Sequence, residues 1–125
     1  MSMSKIANEL LQRIVSIELL ENGACRGVVK FDDAFCGFDG HFKDNPVVPG
    51  VCLLQLVEII AAKQLDKPLK LVNIAQMKFK TMLKPDDIAE FMLSASEVDS
   101  HCNVSCSIQV KERVAARIKM VFETK

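Results

Sequence analysis

The stretch from Asp39 to Ile60 reads DGHFKDNPVVPGVCLLQLVEII and decides how the rest of the chain is interpreted. It contains His41, one of only two histidines, in a segment rich in Gly, Asp and Pro. A Pro-Gly pair follows, and ten of the twelve residues from Val51 to Ala62 are apolar. That length and the preceding Pro-Gly pair favour a helix over a strand. Because nearly every side of this helix is apolar, it should be buried on nearly every side.

The segment before this stretch predicts a short helix and a hairpin. Ser4 to Gln12 has the periodicity of a short amphipathic helix. Arg13 to Phe31 predicts two strands joined at an Asn-Gly turn, which is the strongest short hairpin signal. On the first of these strands, Val15, Ile17 and Leu19 are predicted to share one face.

The residues after the long helix predict antiparallel strands. Apolar and polar residues alternate around Phe79, Phe91, Ile108 and Ile118, and a turn is predicted from Lys84 to Asp87. A sheet wrapped around the one long apolar helix satisfies both periodicities. The sequence therefore predicts a single α+β domain over residues 1–125, with an antiparallel β-sheet around one long buried central helix.

Composition narrows the classes of function. The chain has 125 residues, with 16 Lys plus Arg and 16 Asp plus Glu, so its formal net charge is zero. A balanced charge disfavours binding of nucleic acid through a broad basic face. No apolar run approaches the ~18 residues that a membrane span requires. We therefore expect a cytoplasmic protein with no membrane span and no nucleic-acid partner.

The cysteines predict a reduced protein. There are five, an odd number, and none forms a CxxC pair. Small buried thiols fit this pattern better than a disulfide framework does. His101, Cys102 and Cys106 come nearest to a set of metal ligands, but no fourth ligand stands at a zinc-like spacing. We predict no metal site and no cofactor.

Two motifs carry a family resemblance. Gly40 to Phe42 reads GHF, and Pro46 to Val51 reads PVVPGV. A second, weaker motif comprises Phe79 to Lys80 and Leu83 to Asp87, with Asp86 where the family usually has glycine. In these residues the chain resembles the hot-dog-fold 3-hydroxyacyl-[acyl-carrier-protein] dehydratases of the FabZ and FabA type.

The resemblance implies a hot-dog fold and a homodimer or larger homo-oligomer. The two sheets would continue into one another, and each dimer interface would hold an active site. The implied substrate is an acyl chain on the phosphopantetheine arm of an acyl carrier protein, or on CoA. The implied reaction, in fatty-acid or related lipid or polyketide synthesis, removes water from a 3-hydroxyacyl thioester to give a trans-2-enoyl thioester.

The resemblance also assigns roles to single residues. His41 matches the catalytic histidine, whose unperturbed pKa near ~6.5 suits removal of the α-proton at neutral pH. Gly50 matches the glycine at the start of the buried helix, where a free amide at the positive end of the helix dipole would bind the thioester oxygen. Phe42 and Val51 are candidates for lining the path of the acyl chain.

The proton donor departs from the family pattern. The family has Glu or Asp five positions after the glycine, and here that position is Gln55, whose amide has no titrating proton. Three explanations stay open. Glu58, ~4.5 Å further along the helix axis, could act through a water molecule. A partner subunit could supply the acid in a heterodimer. Alternatively, His41 and Gln55 could orient water or substrate in a thioesterase or in a non-catalytic acyl-thioester-binding subunit.

A basic segment bears on partners. Lys63 to Lys84 contains six lysines against Asp66 alone, a local charge of +5 in a neutral protein. Carrier proteins of this kind are acidic, so the segment is a candidate docking surface for an acyl carrier protein. A set of solvated strand and loop lysines is the alternative.

Overall fold

The structure, a computed structural model, describes residues 5–32, 48 and 50–124. A short 3-10 turn, Glu21–Gly23, joins the first two strands. The helices and strands are α1 (Lys5–Arg13), β1 (Ile14–Leu19), β2 (Ala24–Lys30), α2 (Gly50–Leu65), β3 (Leu69–Phe79), β4 (Ile88–Val98), β5 (His101–Val110) and β6 (Arg113–Thr124).

The six strands form one antiparallel sheet in the order β1-β2-β4-β5-β6-β3. The strand after α2 therefore does not pair with the strand before it. Instead, β3 crosses to the far edge of the sheet and pairs with β6. The predicted α+β arrangement of a sheet around one long helix is confirmed.

Helix α2 packs closely on the sheet. A Cβ at Gly27 of β2 would lie 2.9 Å from Cδ1 of Ile60, so only glycine leaves room for this helix side chain. The largest fully buried side chains come from the helices, the sheet and the adjoining loops: Leu10, Val29, Phe31, Leu56, Ile60, Leu83, Phe91, Leu93, Ile108, Ile118 and Phe122. Burial of each such side chain stabilises the fold by roughly 1.5–3 kcal/mol.

Burial of α2 is one-sided. The expected burial on nearly every side holds only for the side that faces the sheet. Val51 is 61% exposed, and Gln55 and Glu58 are half-buried on the same side of the helix. The buried positions are Cys52, Leu53, Leu56, Val57, Ile60 and Ala61. An apolar helix thus keeps one stripe that its own sheet does not cover.

Strand β1 departs from simple alternation. The pairing register with β2 shifts between Ile14 and Ser16. Such a bulge turns the following residues to the other face of the sheet. Val15 is the extra residue at this bulge, so its predicted place on one face with Ile17 and Leu19 is wrong.

Strand β3 is an exposed edge. Apart from Leu69, all of its residues are exposed. Its apolar side chains oppose inward-facing residues of β6, as in the pairs Met77 with Ile118 and Leu71 with Phe122. The concave face of the sheet therefore ends in an apolar edge strand that stays exposed in the described part of the chain.

The cysteines fit the predicted reduced state. Cys25, Cys102 and Cys106 are free and buried, Cys52 is buried, and Cys36 lies outside the described residues. Burial raises the pKa of the Cys106 thiol, which keeps it protonated at neutral pH. Among the helices that the structure describes, none has the length and apolar character that a membrane crossing requires.

Candidate active site

The N-terminus of α2 lies under an aromatic ring. The helix begins at Gly50, the predicted oxyanion donor, and the first amides of a helix have no partner within it. A Cβ at Gly50 would lie 3.0 Å from Cζ of Phe79 and 3.9 Å from Cε of Met77. The backbone of Gly50 is outside the left-handed region, so the close contact with the ring, and not a backbone angle, favours glycine here.

The segment after β3 runs beside the entry to α2. The Val48 amide donates to the Leu83 carbonyl at 2.8 Å, and Val48 is buried. The amides of Lys80 and Thr81 both donate to the Ala115 carbonyl of β6, at 2.7 and 3.1 Å. These bonds fix Phe79 and the residues that follow it against the start of the helix.

The turn that follows explains the missing family glycine. Asp86 has φ of +70°, the left-handed conformation that glycine adopts at low cost and that aspartate tolerates better than most residues. Its amide donates to the Phe31 carbonyl at 2.5 Å. The Asp87 carboxylate accepts from the Lys84 amide at 2.8 Å and closes the turn. Asp86 thus adopts the left-handed conformation that glycine, the usual residue of the family motif, favours.

Gln55 and Glu58 lie on the uncovered side of α2. Gln55 is one turn beyond the exposed Val51, and Glu58 follows three residues later. Within the described residues, the Gln55 side chain makes no hydrogen bond. The arrangement presents an amide and a carboxylate, with Val51 before them, on the side of α2 that faces away from its own sheet.

His41 and Phe42 lie outside the described residues, so their predicted roles stay predictions. The structure does bring together three other sequence signals: the Pro-Gly helix start, the Phe-Lys strand end and the Pro-Asp-Asp turn. Sequence reasoning placed Phe79 only in a strand and in the weaker family motif, and it missed the contact of Phe79 with Gly50. Nothing in the local pattern signals that contact, because 29 positions separate the two residues.

The six lysines of the segment from Lys63 to Lys84 do not form one surface. Lys63 lies near the C-terminal end of α2, roughly 20 Å along the helix axis from Gly50. Lys67 is paired with Glu97 at 3.0 Å. Lys78 lies opposite Arg117 on β6. The prediction of a single docking surface over this segment is therefore revised, because strand and helix geometry separates its charges.

A basic cleft lies near the start of α2. It has a volume of about 500 Å³ and is lined in part by Met82, Lys84, Lys111 and Arg113. Its one carboxylate, that of Asp87, already accepts the Lys84 amide. The cleft combines three cations with Met82, which is 65% exposed. Its lining residues Met82 and Lys84 flank Leu83, whose carbonyl accepts the Val48 amide.

Comparison with solved structures supports the fold. The dehydratase heterocomplex ApeI:P from Xenorhabdus doucetiae superposes with a TM-score of 0.79 at 19% identity, covering 88% of this chain and 96% of that one. A hypothetical thioesterase from Streptococcus pneumoniae, solved with coenzyme A, gives a TM-score of 0.73 at 13% identity, covering 99% and 97%. Both similarities show the hot-dog fold alone.

Sequence relatives identify the family. A FabZ 3-hydroxyacyl-[acyl-carrier-protein] dehydratase from Rickettsia felis is 30% identical over 121 residues, covering 88% of this chain and 81% of the relative. The FabZ from Lactobacillus helveticus is 27% identical over 110 residues, covering 82% and 73%. The family described as ApeI-like, ApeI dehydratase, matches residues 18–118. This chain therefore belongs to the ApeI-like dehydratase family, related to the FabZ dehydratases, and its function is dehydratase-like.

Proposed function

We propose that the protein removes water from a 3-hydroxyacyl thioester carried on an acyl carrier protein and releases the trans-2-enoyl thioester. The observation that carries this proposal is the family match over residues 18–118, because that range contains His41, the start of α2 and the turn at Asp86. The FabZ relatives act, by their names, on 3-hydroxyacyl groups of acyl carrier protein, which supports this substrate class.

The reaction needs a base and a site for negative charge. His41 takes the proton from the carbon next to the thioester carbonyl, as a neutral imidazole can at pH 7. The electron pair of the broken C–H bond moves toward the carbonyl, whose oxygen becomes negative. The Gly50 amide at the positive end of α2 donates a hydrogen bond to that oxygen. The hydroxyl then leaves the next carbon with a proton, as water, and the double bond forms.

The leaving hydroxyl needs a proton, and Gln55 cannot supply one. In this proposal the Gln55 amide orients the hydroxyl, and Glu58 delivers the proton through a bridging water. Both side chains lie on the open stripe of α2, which supports the pairing. General acid catalysis is typically worth ~10²–10⁴-fold, so an indirect donor makes a slower enzyme than a direct one.

A second candidate function is a subunit of a heteromeric dehydratase. Gln55 favours it, because a partner chain that carries an acid facing the open stripe would complete the site. A solved relative in fold, ApeI:P, is itself described as a heterocomplex. The thioesterase alternative ranks lower, since its support is similarity of fold at 13% identity.

The exposed edge supports a dimer. Leu71, Ile74, Met77 and Phe79 are each 38–45% exposed on the concave side of β3. An edge strand with free backbone groups and apolar side chains pairs readily with another strand. A second copy that adds its own β3 would continue the sheet and cover the open stripe of α2.

We place the docking of the carrier protein at the basic cleft formed by Met82, Lys84, Lys111 and Arg113. The cleft adjoins the entry to α2, so a prosthetic arm that starts there can reach the helix N-terminus. Complementary charge raises the rate of encounter with an acidic protein. Lys63 and Lys67 belong to the opposite end of the helix and are excluded from this surface.

The test is a coupled set of assays on the purified full-length chain. Crotonyl and 3-hydroxybutyryl thioesters of a carrier protein and of CoA are supplied, and the enoyl absorbance is followed. Interconversion of the two carrier-bound thioesters supports the proposal, and release of free thiol without enoyl formation supports a thioesterase instead.

The Gln55→Glu variant separates the two candidates. If the homodimer is active and loses activity in Glu58→Gln, Glu58 delivers the proton. If the wild-type homodimer has no dehydratase activity and the Gln55→Glu variant has it, the natural enzyme is heteromeric. Absence of dehydratase activity in the wild type and in every variant contradicts both candidate functions.

A further inference from the structure

The outer face of the sheet, opposite α2, carries a second cleft. It has a volume of about 330 Å³ and lies across β4, β5, β6 and β3. Side chains of alternate residues stand on this face, and two adjacent cross-strand rows build the cleft. One row contains Met92, Ser107 and Arg117, and the other contains Ser94, Ser105, Lys119 and Gln76. Lys78 continues the first row on β3 but does not line the cleft.

The register places a hydroxyl beside each cation. Ser107 pairs directly with Arg117, and Ser105 pairs directly with Lys119. Directly opposed residues on one face have Cβ atoms roughly 5 Å apart, close enough for both side chains to contact one small group. Arg117 and Lys119 are two residues apart on the same strand, roughly 7 Å. Their charged ends can therefore converge on a single anion.

Among the described residues, no carboxylate compensates the charge of the cleft. Arg13 is paired with Asp32 and Arg26 with Glu90, at 2.9 and 3.0 Å. Within the described part of the chain, Arg117 and Lys119 form no ion pair, and no carboxylate lines the cleft. Lys78 lies directly opposite Arg117, a juxtaposition of like charges that destabilises a sheet. A bound anion would relieve this repulsion.

We propose that this cleft binds a small organic phosphate. A phosphate monoester carries close to two negative charges at neutral pH and three strong acceptor oxygens. Two cations and two hydroxyls match that charge and that number of acceptors better than they match a carboxylate with one charge. Met92 supplies an apolar wall for the organic part of the molecule. The volume admits a phosphate with a group of several heavy atoms.

The site is distinct from the proposed dehydratase site. It lies on the face of the sheet away from α2, and Arg117 is four residues along β6 from Arg113 of the docking cleft, roughly 13 Å. Failure of the dehydratase proposal therefore leaves this one standing, and the reverse is also true. The test is accordingly a binding measurement that needs no turnover.

The experiment is an NMR titration of the ¹⁵N-labelled full-length chain with phenyl phosphate at constant ionic strength. We expect saturable shifts, with a Kd in the low millimolar range, at the amides of Ser105, Ser107, Arg117 and Lys119. Benzoate serves as a ligand of the same shape with a single charge and should bind about tenfold more weakly. Equal binding of benzoate would overturn the assignment to phosphate.

Variants locate the site. Arg117→Gln and, separately, Lys119→Gln should each weaken phenyl phosphate binding about tenfold, because each loses a charge-assisted hydrogen bond. Lys111→Gln removes one cation from the separate docking cleft and should leave the Kd for phenyl phosphate unchanged. A similar loss in all three variants would mean diffuse attraction and would overturn the proposal. The proposal would also be overturned if an acidic protein shifted the signals of the cleft amides and phenyl phosphate did not. That result would indicate a protein-docking surface.

Discussion

The ring of Phe79 covers the start of α2, with its Cζ atom 3.0 Å from the place that a Cβ on Gly50 would occupy. Two motifs that are far apart in sequence therefore meet at one point. The strand end that carries Phe79 is held there by the bonds of Lys80 and Thr81 to Ala115. An oxyanion bound at the Gly50 amide, as proposed above, would thus have an aromatic wall on one side.

The Gly50→Ala substitution tests this contact. The added methyl group pushes the ring aside, and a shift of this kind beside reacting atoms should lower turnover about tenfold or more. The free energy of unfolding should change by less than about 1 kcal/mol, because alanine is the better helix former and Phe79 is 45% exposed and able to move. Urea denaturation and enoyl absorbance measure the two effects.

The matched control is the double variant Gly50→Ala/Phe79→Leu. If the ring is what the methyl meets, the unfolding cost of Gly50→Ala should be smaller in the Phe79→Leu background. Additive costs would show that the contact does not decide the choice of glycine.

The exposed edge predicts a dimer that depends on β3. Ile74→Glu places a charge on the concave side of the edge and should shift the protein to the monomer, because burial of an unpaired carboxylate is costly. Asn73→Glu, one residue away and facing outward, should leave the dimer intact. Sedimentation equilibrium measures both. A wild-type monomer, or equal dissociation in both variants, would refute this interface.

The turn after β3 predicts opposite effects at adjacent aspartates. Asp86→Gly should stabilise the fold by about 0.5–1 kcal/mol, since glycine adopts the φ of +70° without a Cβ clash. Asp87→Gly should destabilise it by about 1 kcal/mol, because the Lys84 amide loses its carboxylate acceptor. Thermal unfolding at neutral pH compares the two variants. Destabilisation by both would mean that the positive φ is not a source of strain.

The pair between Arg26 and Glu90 predicts a pH dependence. The hydrogen bond and charge of Arg26 lower the pKa of Glu90 below its ordinary value. A carboxyl with a lowered pKa contributes stability that is present above its unfolded pKa, about 4.3, and is lost as pH falls through the folded pKa. The difference in unfolding free energy between the wild type and Glu90→Gln should thus be present at neutral pH and vanish in acid. A difference that stays constant with pH would contradict the assignment.

The sequence predicted those elements that have a local cause. Alternation along β4, β5 and β6 follows from burial of one face, and the start of α2 follows from the Pro-Gly pair. The bulge at Val15 could not be predicted, because a shift in pairing register leaves no mark in an alternating strand. The exposure of β3 was missed for a related reason. Alternation is the same in an edge strand and in a central one.

The candidate site was predictable in its motifs but not in its contacts. The helix start and the turn follow from Gly50 and Asp86 in the family pattern, whereas the meeting of Phe79 with Gly50 depends on the crossover of β3. The lysines of residues 63–84 are close in sequence, yet α2 and β3 carry them to different ends and faces. Proximity along the chain does not determine which charges form one surface.

Whether His41 is the base of a dehydratase is tested most directly by substituting each of the two histidines of the chain. His41→Ala and His101→Ala are compared in the assay with a 3-hydroxybutyryl thioester. His101 begins β5, and its Nε2 lies 4.0 Å from the Glu123 carboxylate. We predict that His41→Ala lowers kcat at least a hundredfold and that His101→Ala leaves it unchanged. Full activity in His41→Ala, in a preparation whose wild type is active, would contradict the account.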